Sequence, residues 1–551
     1  MDQAIIAPAG AGIVAPAVAA ATRRSALERL SWFGWRGGLA AIITGVIASF
    51  FLFGYFAIYW RNADMDLMIV YNALVLNDGL PQEYFDHPSY FTILSVQYFF
   101  RFLHAAGLLD AYSLSHIPSA SHVAAFDAAM THAVRAGRLV ALMTASASIL
   151  VFAALMRRML RDWRIALLAT LAFACSGGVA VHARILRSEM IAGSLVTFAL
   201  IVLIMAARRG TAWRPLLLAI AAALCVLGLE NKVHVILVIA ALPVLAVAFG
   251  ERTGTSVAFW RTSPWAWAAA LAAMLSAALL AWAASPIVAA GIDPLNTAAA
   301  ELHPFLFGAF GIYQGALLLY AWAAMIVFAV LYKVSARETL TAMFAIVAGA
   351  ALGLLALDLQ FFAGNAVAVV NPLEKMLGFA SLSPTGVSDI GYDVYVFKTY
   401  FLNVLARYSF FLFTSARPAV FLIWLIVPGI VYAWLQGKRQ LALQAALLLG
   451  LAACVDTLGV GRGLKAEYFI FTDPLIIIAG AVLLDALPQV ASMRWAYLIG
   501  LVLSFVHFFG SQPEPFKMMS KVSGPEYICD WNQIYQSKMP LPWCDLPPKR
   551  P

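Results

Sequence analysis

The chain has 551 residues, 63% hydrophobic and only 12% charged, with a mean hydropathy of +0.85. A soluble globular protein carries about twice that charged fraction, so a string of soluble domains is excluded and a helical membrane body is expected. The net charge of +8 does not point to nucleic acid, because the Lys and Arg residues sit at the ends of apolar runs, where the positive-inside rule places them.

Residues 1–37 are rich in Ala, Gly and Pro and lack a basic region ahead of an apolar core. They read as a disordered cytoplasmic tail and not as a signal peptide. Apolar runs of about twenty residues then recur through a membrane body at 38–511. About thirteen spans are expected, near 38–60, 138–156, 163–181, 190–207, 214–231, 233–250, 264–284, 305–331, 338–357, 412–435, 440–460, 468–488 and 495–511.

Arg23, Arg24, Arg29 and Arg36 precede the first span. Arg157, Arg158, Arg161 and Arg164, then Arg208, Arg209 and Arg214, fall in alternate short loops, as do Arg252, Arg261, Lys333, Arg337, Lys438, Arg439 and Arg494. This bias puts the N-terminus inside and the C-terminus outside, which requires an odd number of spans. Three exterior segments are then long: 61–137, 358–411 and a tail at 512–551. Carriers and channels usually keep such loops short; an enzyme working at one membrane face needs them.

The first exterior loop opens with Asp64 and Asp66, directly after the first span. From Asp66 to Leu76 the apolar spacing is helical and suits an amphipathic helix lying in the interface. Glu83, Tyr84, Asp86 and His87 follow, ahead of Pro88. Each acid is equally readable as a solvated loop residue, yet acids pinned at the bilayer surface by apolar flanks call for a role. In the second exterior turn Glu189 opens the fourth span beside Arg184 and Arg187. The helix dipole favours an acid there, but the two arginines run against the charge bias. Lys232, Arg462 and Lys465 do the same in later exterior turns. Five cations at one depth suit a phosphate or diphosphate; the alternative is helix-end snorkelling. Acids and cations on one face suggest group transfer, with a carboxylate deprotonating an acceptor hydroxyl and the cations holding a lipid-phosphate donor.

Four local matches carry a family resemblance. Asp64, then Gly79, then Tyr84–Phe85–Asp86–His87–Pro88 is the first. The second is Ala183–Arg184 leading to Glu189, the third Asn231–Lys232, and the fourth Lys465–Ala466–Glu467–Tyr468–Phe469. In order and on one expected face, these resemble the GT-C superfamily of membrane glycosyltransferases. The branch is that of lipid A aminoarabinose transferase, rhizobial galacturonosyltransferase-like proteins and protein O-mannosyltransferases. The match covers roughly the first 240 residues and 460–475; the region 251–450 matches in hydropathy only. Glu189 stands where many members have Asp, His87–Pro88–Ser89–Tyr90 where consecutive prolines are commoner, and the tail is short. These departures leave the sugar and the acceptor open.

The resemblance implies an all-α integral membrane fold, a GT-C-like bundle with interfacial helices in the first exterior loop. It implies transfer of a hexosyl or pentosyl group from a polyprenyl-phosphate sugar to an extracytoplasmic glycolipid, lipopolysaccharide or protein. Asp64 is then the catalytic base, with Asp66 competing for that role, and Glu189 assists it or joins Asp64 in holding a divalent cation. Tyr84 lines the substrate site, and Asp86 and His87 line the acceptor or metal side. Arg184, Arg187, Lys232, Arg462 and Lys465 hold the donor phosphate, and Tyr468 meets the sugar or packs in its helix. The setting would be a bacterial inner membrane and cell-envelope glycan synthesis, with membrane lipids as partners and no nucleic acid. A flippase for a lipid-linked sugar would put its charges near the midplane, and a glycan ligase or polymerase would use arginines and a His in one late loop. No P-loop, dinucleotide fingerprint, zinc spacing or Ser-His-Asp order is present. Cys175, Cys225 and Cys454 lie in apolar runs, whereas Cys529 and Cys544 lie in the tail, where an exterior location permits a disulfide.

Overall fold

The computed structural model describes residues 14–61, 66–80, 89–208, 213–229, 231–250, 336–362, 394–409, 420–459 and 466–487, with parts of 319–329, 495–502 and 528–544. The seventh expected span, most of the last, and most of the loop at 358–411 lie outside these. The described residues are all-helical, without a strand among them. Among the described residues, four helices are long and apolar enough to cross a membrane: Gly34–Phe53, Val123–Met159, Glu189–Arg208 and Arg439–Thr457. That composition is consistent with a membrane protein, in which backbone polar groups facing lipid must be satisfied internally, as a helix does.

Helix α1 runs from Val14 to Phe53. The stretch from Val14 to 37 was expected as a disordered tail; it is helical instead, its alanines being the strongest helix formers. A Cβ on Gly34 would sit 2.8 Å from the Trp163 ring, so glycine lets α1 close on the helix Trp163–Ala174 (α5). The first exterior loop folds into helices α2 (Met68–Asn77) and α3 (Tyr90–Ala105), and into the first third of α4 (Val123–Met159). Along α4 the buried residues recur every three or four positions from Phe126 to Met156, which is the stripe of a one-sided helix.

The interfacial reading of α2 needs correction. Every residue from Met68 to Leu76 is buried, because the run is apolar on all sides apart from Asn72, and such a helix belongs in a core. Asn72 turns its amide back onto the Met68 carbonyl at 2.9 Å. It is α3 that is two-sided: Tyr90, Ile93, Leu94 and Phe100 are buried while Tyr98 and Phe102 are exposed. Around α2 lies a separate core that also takes in Tyr59, Ile528, Met539 and Leu541. The C-terminal segment therefore docks on the first loop. The Trp543 ring lies 6.2 Å from Tyr59 and 6.4 Å from Phe126, and the Lys538 amide donates to the Tyr71 hydroxyl at 3.0 Å. Cys529 and Cys544 are disulfide-bonded within this segment.

The third expected span is broken. Helix α5 stops at Ala174, and Ser176 caps a short helix, α6 (Gly177–His182), by accepting from the Val179 amide. Helices α7 (Glu189–Arg208), α8 (Arg214–Leu229) and α9 (Ile236–Phe249) follow. Helix α7 is buried along nearly its whole length and forms the centre of the bundle. Helix α10 (Ala336–Phe362) packs on α8 through Gly349, where an added Cβ would strike Ala219, and Gly353, where it would lie 3.1 Å from Val226 and 3.2 Å from Ala223. Close small-residue contact of this kind is how helices gain packing energy in lipid. Helices α11 (Val394–Ser409), α12 (Val420–Leu435) and α13 (Arg439–Gly459) precede a 3-10 segment, Ala466–Phe471, and α14 (Asp473–Ala486).

The helix ends sort into two levels. Met159, Arg208, Phe249 and Ala486 border one cavity, whereas at the opposite end of α7 Lys232 pairs with Glu189 and Arg187 bridges Glu189 to Glu467. At 1.5 Å per residue the twenty residues of α7 separate the levels by about 30 Å, the thickness of a bilayer's hydrocarbon core. Arg157, Arg158, Arg161, Arg208, Lys438 and Arg439 all belong to the cavity level, at or next to the ends of α4, α7 and α12 and the start of α13.

Candidate functional site

Asp66 stands at the head of α2, wholly buried. One carboxylate oxygen pairs with Arg138 Nε at 2.8 Å, and the other accepts from the Leu186 amide at 2.7 Å. Arg138 is itself fully buried and directs a second nitrogen to the Ala57 carbonyl just beyond α1. A buried charge must be paired, and this pair ties three pieces together: the end of α1, the first loop and the turn ahead of α7. Gly137 makes room for the junction, since a Cβ there would meet Leu186 at 2.7 Å and Val70 at 2.9 Å. Nearby, Tyr59 donates to Asp127 at 2.5 Å.

Glu189 begins α7 with no exposure. Lys232 Nζ lies 2.9 Å from one of its oxygens; Arg187 Nε and His182 Nε2 lie 3.3 and 3.8 Å from the other. Arg187 also reaches Glu467 at 3.0 Å. Two acids and two permanent cations thus balance in one buried knot, drawn from the 182–189 turn, the α8–α9 turn and the 466–471 segment.

Asn231 joins this knot to the first loop. Its side-chain oxygen accepts from the amides of Phe91 and Thr92 at 3.0 and 3.3 Å, capping α3, while its amide nitrogen donates to the Ser188 carbonyl at 2.5 Å. Its own carbonyl accepts from the Ser89 amide at 3.2 Å, with Ser89 in the left-handed conformation (φ 52°). The chain is therefore anchored just where the Tyr84–His87 segment ends. The 466–471 segment is seated by two glycines: a Cβ on Gly178 would lie 2.7 Å from Ile470 Cα, and one on Gly193 would lie 2.7 Å from Ile470 Cγ1. Tyr468, half-buried, stacks on His234 with ring centres 5.0 Å apart.

Of the residues singled out from sequence, Asp64, Tyr84, Asp86, His87, Arg462 and Lys465 lie outside the described residues. Asp66 and Glu189 are brought to one end of the bundle, their turns joined by the Asp66–Leu186 hydrogen bond. Arg184, Arg187 and Lys232, the three expected cations that are described, each have partners within the protein. Arg184 is buried, donating to the Ala180 carbonyl at 2.9 Å and to Ser49, with Gly54 packed on its stem. Burial pushes its guanidinium down to about 10. It fastens α6 to α1. Arg187 and Lys232 already neutralise protein carboxylates. A divalent ion does not fit at Glu189 as arranged, because both oxygens face cations within 3.3 Å and a metal would be repelled by them.

Arg138, His182 and His234 were not anticipated as members of the site, and Glu467 only as part of a motif. Arg138 carried a readable signal, being a charge inside an apolar helix, which requires a partner. No family model matches the chain, and neither a curated protein nor a solved structure matches it.

Proposed function

We propose that the chain is a membrane glycosyltransferase that moves one sugar from a polyprenyl-phosphate donor to an extracytoplasmic acceptor. The observation that supports this most is the meeting of the two acidic turns: Asp66 accepts from Leu186 at 2.7 Å, two residues from Asp64 in one strand of chain and three from Glu189 in the other. In this reading the Asp66–Arg138 pair holds Asp64 in place. Asp64 takes the proton of the acceptor hydroxyl as its oxygen bonds to the anomeric carbon. The bond from that carbon to the phosphate oxygen breaks, and polyprenyl phosphate leaves with the electron pair. Because Arg187 and Lys232 are balanced by acids, Arg462 and Lys465 become the cations assigned to the phosphate.

The same reading takes the body as a GT-C-like bundle of about thirteen spans in a bacterial inner membrane. The basic level is cytoplasmic, and the first loop and C-terminal segment are periplasmic. A carrier of lipid-linked sugar would place charges at the midplane; the ion pairs among the described residues of α7 lie at its end, which favours the transferase. The test is incubation of the purified chain in lipid with a panel of polyprenyl-phosphate sugars and outer-membrane glycolipid, lipopolysaccharide or protein acceptors. Release of polyprenyl phosphate coupled to acceptor labelling is expected. Movement of the intact donor across the bilayer without cleavage would assign the chain to the carriers instead.

A further inference from the structure

At the level opposite the carboxylate knot, a cavity of about 540 Å³ opens among the ends of α4, α7, α9 and α14 and the turn between α12 and α13. Among its described lining residues are four cations, Arg161, Arg208, Lys438 and Arg439, and a single acid, Asp485. That acid is already engaged, accepting from the backbone amides of Arg161 and Asp162 at 3.0 Å each. Four helices end at this cavity, and free carbonyls there would repel an anion. Several are covered. Gln440 donates to the Gly250 carbonyl at 2.9 Å, Gln444 to Ala248 at 3.0 Å, and Lys438 to Ala486 at 2.7 Å. Lys438 keeps further N–H groups after that bond. Helix α13, by contrast, points its N-terminus, the positive end, at the cavity.

The turn is built to present these charges. Gly437 adopts φ 73°, and the amides of Gly437 and Lys438 return to the carbonyls of Trp434 and Ala433. This is the glycine-terminated helix end that reverses the chain in two residues. It puts Lys438 and Arg439 directly after the last apolar turn of α12. Arg439 lies over the Trp434 ring at 5.5 Å and Arg208 over Phe249 at 5.4 Å, so aromatic faces hold both guanidiniums. Leading away from the cavity along α12, Trp424, Val427, Val431 and Leu435 form an exposed stripe at helical spacing. A cationic pocket at the interface continuing into an apolar stripe matches a phosphate joined to acyl chains.

We propose that this cavity seats the phosphodiester headgroup of an anionic phospholipid from the leaflet at the basic level, with an acyl chain along α12. The proposal does not depend on sugar transfer. The test uses the full chain, purified and placed in nanodiscs of phosphatidylcholine alone or with phosphatidylglycerol of the same acyl length. Native mass spectrometry counts retained lipid, and thermal unfolding reads its effect. Wild type should retain phosphatidylglycerol selectively and unfold at a higher temperature with it. Arg208→Gln with Lys438→Gln should still unfold cooperatively in phosphatidylcholine, which establishes folding, and should lose that preference. Each cation removed should weaken retention roughly fivefold. Arg439→Gln alone, at an exposed position, supplies a milder second variant. Equal retention of both lipids by wild type would overturn the proposal, as would an undiminished preference in the variants. Displacement of the lipid by millimolar inorganic phosphate would overturn it too, by making the cavity a free-phosphate site.

Discussion

Replacing Asp66 by alanine would leave the Arg138 guanidinium, itself without exposure, facing no carboxylate. Breaking a buried ion pair from one side costs about 3–5 kcal/mol, since the surviving charge stays desolvated. The Leu186 amide would also lose its acceptor at 2.7 Å, adding about 1–3 kcal/mol. The summed loss is comparable to the whole stability of an ordinary domain, about 5–15 kcal/mol. Asp66→Asn separates the two parts, because it keeps an oxygen for Leu186 and removes only the charge. Asp66→Asn with Arg138→Gln removes both charges and should recover most of the Asp66→Asn loss. The assay is thermal and denaturant unfolding in detergent, followed by tryptophan fluorescence. The expected order of stability is wild type, the double variant, Asp66→Asn, then Asp66→Ala. An Asp66→Ala protein within about 0.5 kcal/mol of wild type, the range of surface substitutions, would refute the role given to this pair.

Gly178→Ala should cost about 1–3 kcal/mol by overpacking and displace the 466–471 segment, whereas Gly45→Ala, with nothing within 4 Å of the added Cβ, should be near neutral. Equal unfolding temperatures for the two would contradict the packing described. Peptide mapping without reductant, on material from native membranes, should recover Cys529 linked to Cys544; finding both thiols free would count against it. Serine at either position should cost about 3 kcal/mol for a loop of this length, a sequence separation of 15, and speed proteolysis of the tail. Cysteines placed at Ala125 and Lys438 should react with impermeant reagent from opposite sides of sealed vesicles. Labelling of both from one side would undo the two-level arrangement.

The apolar runs made the helices legible, because in lipid the length and composition of a span are set by the bilayer. The boundary at Gly437 was legible because a glycine stands there, whereas the cap at Ser176, which breaks the expected span 163–181, was passed over. Helix α4 begins well before its expected span, since Asp127, His132 and Arg135 hid an Ala-rich helix-forming stretch. Helix α2 was misplaced although the signal was present: with almost no polar residue between Met68 and Leu76, it has no face to give to water. Glu189, Asn231 and Lys232 stood out as polar groups in short turns between apolar helices. Their partners did not. Nothing in a single sequence links Asp66 to Arg138 across 72 positions, or Arg187 to Glu467 across 280, yet these pairings tie the turns together.

The most direct measurement is the rate of sugar transfer from labelled polyprenyl phosphate by purified protein at saturating donor, wild type against Asp64→Asn, with donor binding measured alongside. A base that takes the acceptor proton contributes about 10²–10⁴-fold, so the variant should lose turnover on that scale while holding the donor nearly as well. Transfer by Asp64→Asn at the wild-type rate would contradict the chemistry assigned to the joined acidic turns.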